Sequence, residues 1–521
     1  MVVLVLESWT TTPVLTSLLV CVVSLLLALP LLWKKPLVLQ TRKNNEVGAT
    51  AQNSASHNDA TDEIPTAPGA ILLLGHALAY KRDPVGFLKR VLKETDSPLL
   101  RINLAGQKLI LLDPVLATQV ASKPDAVLSL RQAVQDYGFG HTLGKDNVHQ
   151  GTEWHKRIIK QQLDFNIWGA SLGPTVAAAI RAEANLITAT TGPDENAKIV
   201  IIPDLFSFLR RVLQRTVLQS MVGLTLQQDE TALMDEIYAL QEQIEDATAA
   251  TAVLPTWLAH PLMLLPTQQQ RLALQAKLVQ RLNEENQKNE SATNQGGRWW
   301  LHAMADLPVE QQAEFIVGLL FAGAKNPALG AAQTLCFLLD HSDGDLLTDV
   351  RAEATGWKKF LAKTSWQWSR VQSKCPLTLA CIQESTRLTA LAIGSLRKVL
   401  QPVTLTDPNH DKKTWTLQPG ETVALSLIVP NTDEATWSSN AMEFHPRRFL
   451  ESTVPSVWTF SHGTHHCPGE RVATILMHTV VTQLLADHRI QLACSSLPTL
   501  SWERATVAQR AGPVPVRLTV G

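Results

Sequence analysis

Six cysteines could carry chemistry in this chain: Cys21, Cys336, Cys375, Cys381, Cys467 and Cys494. No two form a C-x-x-C pair, so a thiolate zinc site is not expected. Six in 521 residues are too few for a disulfide scaffold. A reactive cysteine here would act alone, and Cys467 has the surroundings for it. It lies in Phe460-Ser-His-Gly463-Thr-His465-His466-Cys467-Pro468-Gly469-Glu470-Arg471, ahead of an apolar run from Val472 to Leu485. Pro468 suits the first turn of a helix, where its missing N–H costs nothing. Cys467 would then sit just before a helix N-terminus, whose partial positive charge favours a thiolate. Gly463 and Gly469 permit tight turns or close approach of a bulky group to the backbone, and Phe460 can screen one side of the sulfur. A lone cysteine is more often an inert buried residue. A thiolate held in a water-poor, hydrogen-bonding loop is what haem iron requires of a sulfur ligand.

The spacing F-x-x-G-x-x-x-C-x-G resembles the haem-binding loop of the cytochromes P450. Glu384-Ser-Thr-Arg387 matches that family's E-x-x-R, whose two side chains share one helix face. Phe444-His-Pro446-Arg447-Arg448-Phe449 matches its F-x-P-x-R-F. The resemblance covers residues 65–521. It implies haem b (iron-protoporphyrin IX) as cofactor, Cys467 as axial iron ligand, and Phe460, Gly463, His465 and Gly469 beside it. It also implies that Glu384, Arg387 and Arg448 form a buried triad behind the haem. Haem propionates need cationic partners, and by position these are His465 and Arg397. Glu153-Trp154-His-Lys-Arg157 resembles the family's haem-contacting helix, so Trp154 and Arg157 are further candidates. The usual spacing of four would put the cation at position 158, which is Ile. Lys156, Arg157 and Lys160 equally suit a cationic docking face for an acidic electron donor.

The distal pattern departs from the family's A/G-G-x-D/E-T, in which acid and alcohol relay protons to the oxygen site. The matching residues are Ala322-Gly323-Ala324-Lys325-Asn326-Pro327. Lys325 replaces the acid and Asn326 the alcohol. Pro327 removes a backbone donor and should kink the helix. Asn326 can donate and accept hydrogen bonds. Lys325 either reaches water, as it would on the outer side of the kink, or has its pKa pushed down by burial. Asn326, with a water and Lys325, is expected to order the oxygen site. Asn at this position resembles the branch that holds sterol 7α- and 12α-hydroxylases and prostacyclin synthase. Gly75-His-Ala-Leu78, Asp83-Pro84 and Phe87-Leu88 look like that branch's early segment, and Glu384 to Leu388 like its E-S-L-R-L helix with Thr386 as the exception.

Positioning these groups takes mostly helices. Apolar or amphipathic stretches at 173–190, 204–223, 228–248, 267–289, 309–341 and 468–487 predict them. Short strand-like runs occur at 99–104, 108–112, 397–406, 414–417 and 422–428. The expected class is mainly α with small β-sheets, a cytochrome P450 fold, without alternating βαβ units. Gly138-Phe-Gly-His-Thr-Leu-Gly144 has the wrong spacing for a dinucleotide loop, so no nucleotide or flavin site is expected. Hydrophobic residues make up 45% of the chain, enough for a large core. The net charge of −1 argues against nucleic acid as a partner.

Residues 8–33 carry no charge, with Trp9 and Trp33 at the ends and Lys34, Lys35, Arg42 and Lys43 after them. This predicts a transmembrane anchor at 8–33, retained because no basic region precedes its long apolar run. A basic, polar linker at 34–64 and a haem-thiolate catalytic domain at 65–521 should follow. The charge bias places that domain in the cytosol, as a single-pass protein of the endoplasmic reticulum membrane. A glycan on the sequon Asn289-Glu-Ser291 would contradict this. The apolar stretch 252–266, with Trp257, is expected to dip into membrane lipid. The resemblance implies a monooxygenase that hydroxylates a sterol or other lipophilic molecule, with electrons from a separate NADPH–cytochrome P450 reductase. Two alternatives stay open: a reductase-independent isomerase or dehydratase of a lipid peroxide, and a non-catalytic haem- or lipid-binding protein.

Overall fold

One helix, Val309–Asp340, runs through the core. It is α-helical over Val309–Leu319, widens to a π-turn over Leu320–Lys325, and resumes as α over Asn326–Asp340. The cause is Pro327, which has no N–H to close an ordinary turn. The helix absorbs the lost bond by widening, as helices do at single π-bulges. Among the described residues it is the one helix long and apolar enough to cross a membrane, but 78% of its most apolar window is buried in protein. It is a core helix.

The computed structural model describes residues 62–520 apart from 73, 96, 149–151, 192–198, 225, 227–230, 252, 253, 255, 290–298, 342, 343, 410–412 and 504–506. The expected anchor and nearly all of the linker lie outside the described residues, as does most of the sequon.

Helix Phe165–Thr191 packs on Leu205–Val217 and Glu470–Asp487, and these two, with Gly344–Leu361 and Pro376–Leu388, pack on the core helix. Asp204 starts the second of these: its carboxylate accepts from the N–H groups of Phe206 and Ser207. Leu209, Val212, Leu335, Ile475 and Val480 belong to the apolar cluster they share. Burying each such side chain contributes about 1.5–3 kcal/mol. Phe165–Thr191 begins earlier than its apolar pattern suggested, because Trp168 and Leu172 are fully buried. Pro174 lies on its exposed side.

A second apolar cluster lies under a five-stranded sheet. The strand order is Leu99–Leu104, Gln107–Leu112, Thr422–Leu425, Ser395–Val399, Leu128–Ser129. All neighbours pair antiparallel except Gln107–Leu112 with Thr422–Leu425. The run 397–406 is not one strand. Ser395–Val399 belongs to this sheet, and Val403–Thr406 pairs with Thr414–Leu417 in another. Pro402 lies between them and cannot donate to a ladder. The run 422–428 stops at Leu425 because Ile428–Asn431 turns helical. A three-stranded sheet of Ile199–Ile202, Val516–Val520 and His488–Leu492 was not expected from the sequence pattern.

Candidate functional site

The loop before helix Glu470–Asp487 is closed by backbone bonds. The Cys467 N–H donates to Phe460 O at 2.8 Å. Thr464 Oγ1 donates to Ala121 O at 3.2 Å and to Lys123 O at 2.9 Å. Gly463 has φ of +70°, and a Cβ there would lie 2.1 Å from Ala121 O, so no other residue fits. Gly469 is under no such demand, since a Cβ there would make ordinary contact with Cys467 Sγ at 3.8 Å. Pro468 lies in the turn ahead of the helix, not in its first turn, because the helix starts at Glu470. The Glu470 N–H donates to Cys467 O at 3.4 Å, and the Gly469 and Glu470 amides face the Cys467 sulfur. Burial nonetheless pushes the thiol above its usual range, with these two amides pulling the other way.

A cavity of about 440 Å³ is lined by Phe460, His465, Cys467, Pro468 and Gly469 of this loop, and by Leu319, Ala322, Gly323, Asn326 and Pro327 of the core helix. Asn326 Oδ1 is buried without a hydrogen-bond partner. Arg397 is fully buried. Its Nη1 donates to Ser395 Oγ and to Leu396 O, while Nε and Nη2 have no partner. Burial lowers its pKa to about 10, opposed by Asp125. Ser395 lines the cavity, as do His465 and Lys156. His465 Nε2 makes no hydrogen bond and lies 3.7 Å from Asp125 Oδ1. Its pKa is lowered by burial, and then by the charges of Arg397 and Lys156. Arg397 does not itself line the cavity, but Ser395, which it contacts, does; buried N–H groups left unpaired are costly, so an anionic group suits this end. With a sulfur flanked by amide donors in an apolar slot, these residues suit an iron porphyrin bearing carboxylates.

Glu384 is fully buried. It accepts from Arg387 Nε at 2.7 Å and Nη2 at 2.9 Å, from Arg448 Nε at 3.2 Å and from the His445 N–H at 2.9 Å. Arg387 Nη1 also donates to Ala441 O at 2.7 Å and to Asn431 O. None of the three charged side chains lines the cavity.

Three expected site residues, Trp154, Arg157 and Lys325, lie away from the cavity lining. Helix Thr152–Arg157 turns His155 and Lys156 to the cavity, not Trp154 and Arg157. The Trp154 ring lies 6.3 Å from that of Phe315, and the Arg157 guanidinium 5.1 Å from the Trp154 ring. Neighbouring helical residues point in different directions, so a motif whose cation is displaced by one position presents another face. Lys325 does not join Asn326 in the cavity lining. It is fully buried and absent from the cavity lining, and its Nζ lies 2.6 Å from Glu245 Oε2 on helix Thr231–Thr251.

A family model described as Cytochrome P450 matches residues 65–512. The chain belongs to this family. This P450 therefore has haem as its cofactor. It is 27% identical over 192 residues to the cytochrome P450 monooxygenase helB1 of Aspergillus fumigatus, covering 36% of this chain and 31% of that one. Abscisic acid 8'-hydroxylase 1 of Arabidopsis thaliana is 26% identical over 215 residues, covering 41% and 44%. Lanosterol 14-alpha demethylase of Bos taurus is 26% identical over 127 residues, covering 23% and 24%. The matches thus span less than half the length of each relative. Sequence reasoning missed His155 and Lys156 as cavity residues of this P450. The cluster Glu153 to Arg157 was the available signal, but not its rotation about the helix axis. Replacing Arg397 with Gln removes the buried cation, and should lower retained haem about tenfold or more. Haem content after gel filtration measures this; full retention would show that the guanidinium does not hold the cofactor.

Proposed function

We propose that this P450 is a haem-thiolate monooxygenase that hydroxylates a sterol or other lipophilic lipid, with electrons from a separate NADPH–cytochrome P450 reductase. The observation that carries the reading is the Cys467 sulfur, placed beside the Gly469 and Glu470 amides in the wall of a cavity that Asn326 also lines. Cys467 is the proposed axial ligand. Phe460 shields it, and Arg397, His465 and Lys156 take the propionates. Haem, when bound, supplies the redox and oxygen chemistry. Asn326 holds a hydrogen-bonded water or proton at the oxygen site through its unpartnered Oδ1.

An apolar, membrane-delivered substrate is supported by the surface. Trp257 is 66% exposed and Leu72 89%. The Gln107 side chain donates to Thr251 O, which joins the turn after Leu99–Leu104 to the end of the helix preceding Trp257. One relative is named for the sterol lanosterol, which also supports an apolar substrate. Residues 8–33 would anchor the protein in the endoplasmic reticulum membrane.

One observation favours a peroxide isomerase or dehydratase instead. The turn 319–327 offers the cavity no acid and no alcohol, only Asn326. The test supplies sterols and lipid hydroperoxides to full-length protein in lipid, under labelled dioxygen, with and without reductase and NADPH. Label in a product only with reductase supports the monooxygenase. An unlabelled isomer without reductase supports the alternative, and no product at all would favour a binding role. In the first case Asn326→Ala should slow oxygen-dependent turnover about 100-fold; unchanged turnover would remove Asn326 from the mechanism.

A further inference from the structure

The widened turn Leu320–Lys325 is tied at both ends to a single neighbouring helix. At its start, Leu320 O accepts from Gln241 Nε2 at 2.9 Å. At its end, Lys325 Nζ donates to Gln241 O at 3.2 Å and lies 2.6 Å from Glu245 Oε2. Gln241 and Glu245 are four residues apart, on one face of helix Thr231–Thr251. Both are braced from behind. Gln241 Oε1 accepts from Arg210 Nη2 at 3.0 Å and from Gln214 Nε2 at 2.8 Å. Glu245 Oε2 accepts from Gln509 Nε2 at 3.3 Å. Arg210 pairs in turn with Glu242, whose Oε1 is 3.8 Å from Lys325 Nζ.

A π-turn is a rare backbone form that needs its surroundings to keep it. Here those surroundings bear on one residue. Asn326 follows Lys325 directly, and its Oδ1 has no hydrogen-bond partner. Its aim is therefore set by the backbone on either side. Pro327 fixes its own φ on one side, and Lys325 is tied to Glu245 on the other. The pair is a poor source of stability, because its attraction repays the lost hydration only in part. Burial takes Lys325 down to about 8 although Glu245 opposes it. What a charge-assisted contact adds is direction, whereas apolar packing is non-directional.

We propose that Lys325 is a positioning residue: with Glu245 and Gln241 it clamps the widened turn and so fixes Asn326 at the oxygen site. That the clamped residue serves oxygen rests on the function proposed above.

Full-length, haem-loaded protein is reduced and given carbon monoxide, whose infrared stretching band reports the polar groups beside it. Wild type is compared with Asn326→Ala, with the double variant Lys325→Met/Glu245→Gln, and with all three substitutions together. The double variant removes both charges and leaves Arg210–Glu242 in place, so its melting temperature should not fall. Asn326→Ala should shift the band. The double variant should broaden or split it, because Asn326 is no longer kept in one position. That effect should vanish where Asn326 is already Ala. A band that moves with Asn326→Ala but not with the double variant overturns the clamp and leaves the oxygen-site reading standing. A band unmoved by Asn326→Ala removes that reading, and the proposal with it. An effect of the double variant that persists without Asn326 is a general loosening, and overturns the proposal too. Hydrogen exchange gives an arm that needs no variant. In the wild type, amides of 321–326 should exchange within about tenfold of those of 328–335 in the same helix. Faster exchange than that shows a turn that is not clamped.

Discussion

Glu384→Ala should leave little haem-loaded protein. The carboxylate is wholly buried and is the shared acceptor of Arg387 and Arg448. Truncating it leaves the Arg387 guanidinium, itself fully buried, without its counter-charge. Breaking such a pair from one side costs about 3–5 kcal/mol, against a total stability of about 5–15 kcal/mol. The His445 N–H loses its acceptor too. The lost network ties helix Pro376–Leu388 to the turn Pro446–Leu450, so the damage is to folding. Yield and denaturation midpoint should fall steeply, while the protein that survives keeps an unaltered carbon-monoxide difference spectrum, because Glu384 does not line the cavity. Equal yield and midpoint would remove the triad argument.

Cys467→Ala should abolish the carbon-monoxide Soret shift that marks a thiolate-ligated ferrous haem. No other described cysteine lines the cavity. Cys336, Cys375 and Cys381 are buried elsewhere and held as thiols, with burial raising each pKa. Apart from the sulfur, the seat survives: Gly463 still lies against Ala121, and the Gly469 and Glu470 amides remain. Some haem should therefore still bind, with altered spectra. A normal shift in this variant would refute the ligand assignment.

What was legible from sequence depended on whether spacing alone encodes it. The Cys467 loop and Glu384–Arg387 were visible because a few neighbouring residues set their geometry. The long helices were visible because apolar period and length decide them. Lys325 was a different case. Its substitution could be read, but its partner Glu245 is on another helix, and only packing decides whether a lysine meets water or a carboxylate. His155 and Lys156 were missed for a related reason: a one-position shift in a helix changes which side chain faces the cavity. Strands such as Leu500–Ser501 and Gln509–Arg510 are too short for any alternation to register.

The two apolar clusters meet at the cavity. Leu319, Val472 and Met477 come from the helical cluster and Leu427 from the one under the sheet. A ligand bound only when both are in place stabilises their union by mass action. Haem is then a maturation factor as well as a reagent. In a haem-starved cell the newly made chain should be cut by proteases near the boundary of the two clusters, and supplying haem should restore a protected, full-length band. On that account, cofactor supply helps to set the standing amount of this P450.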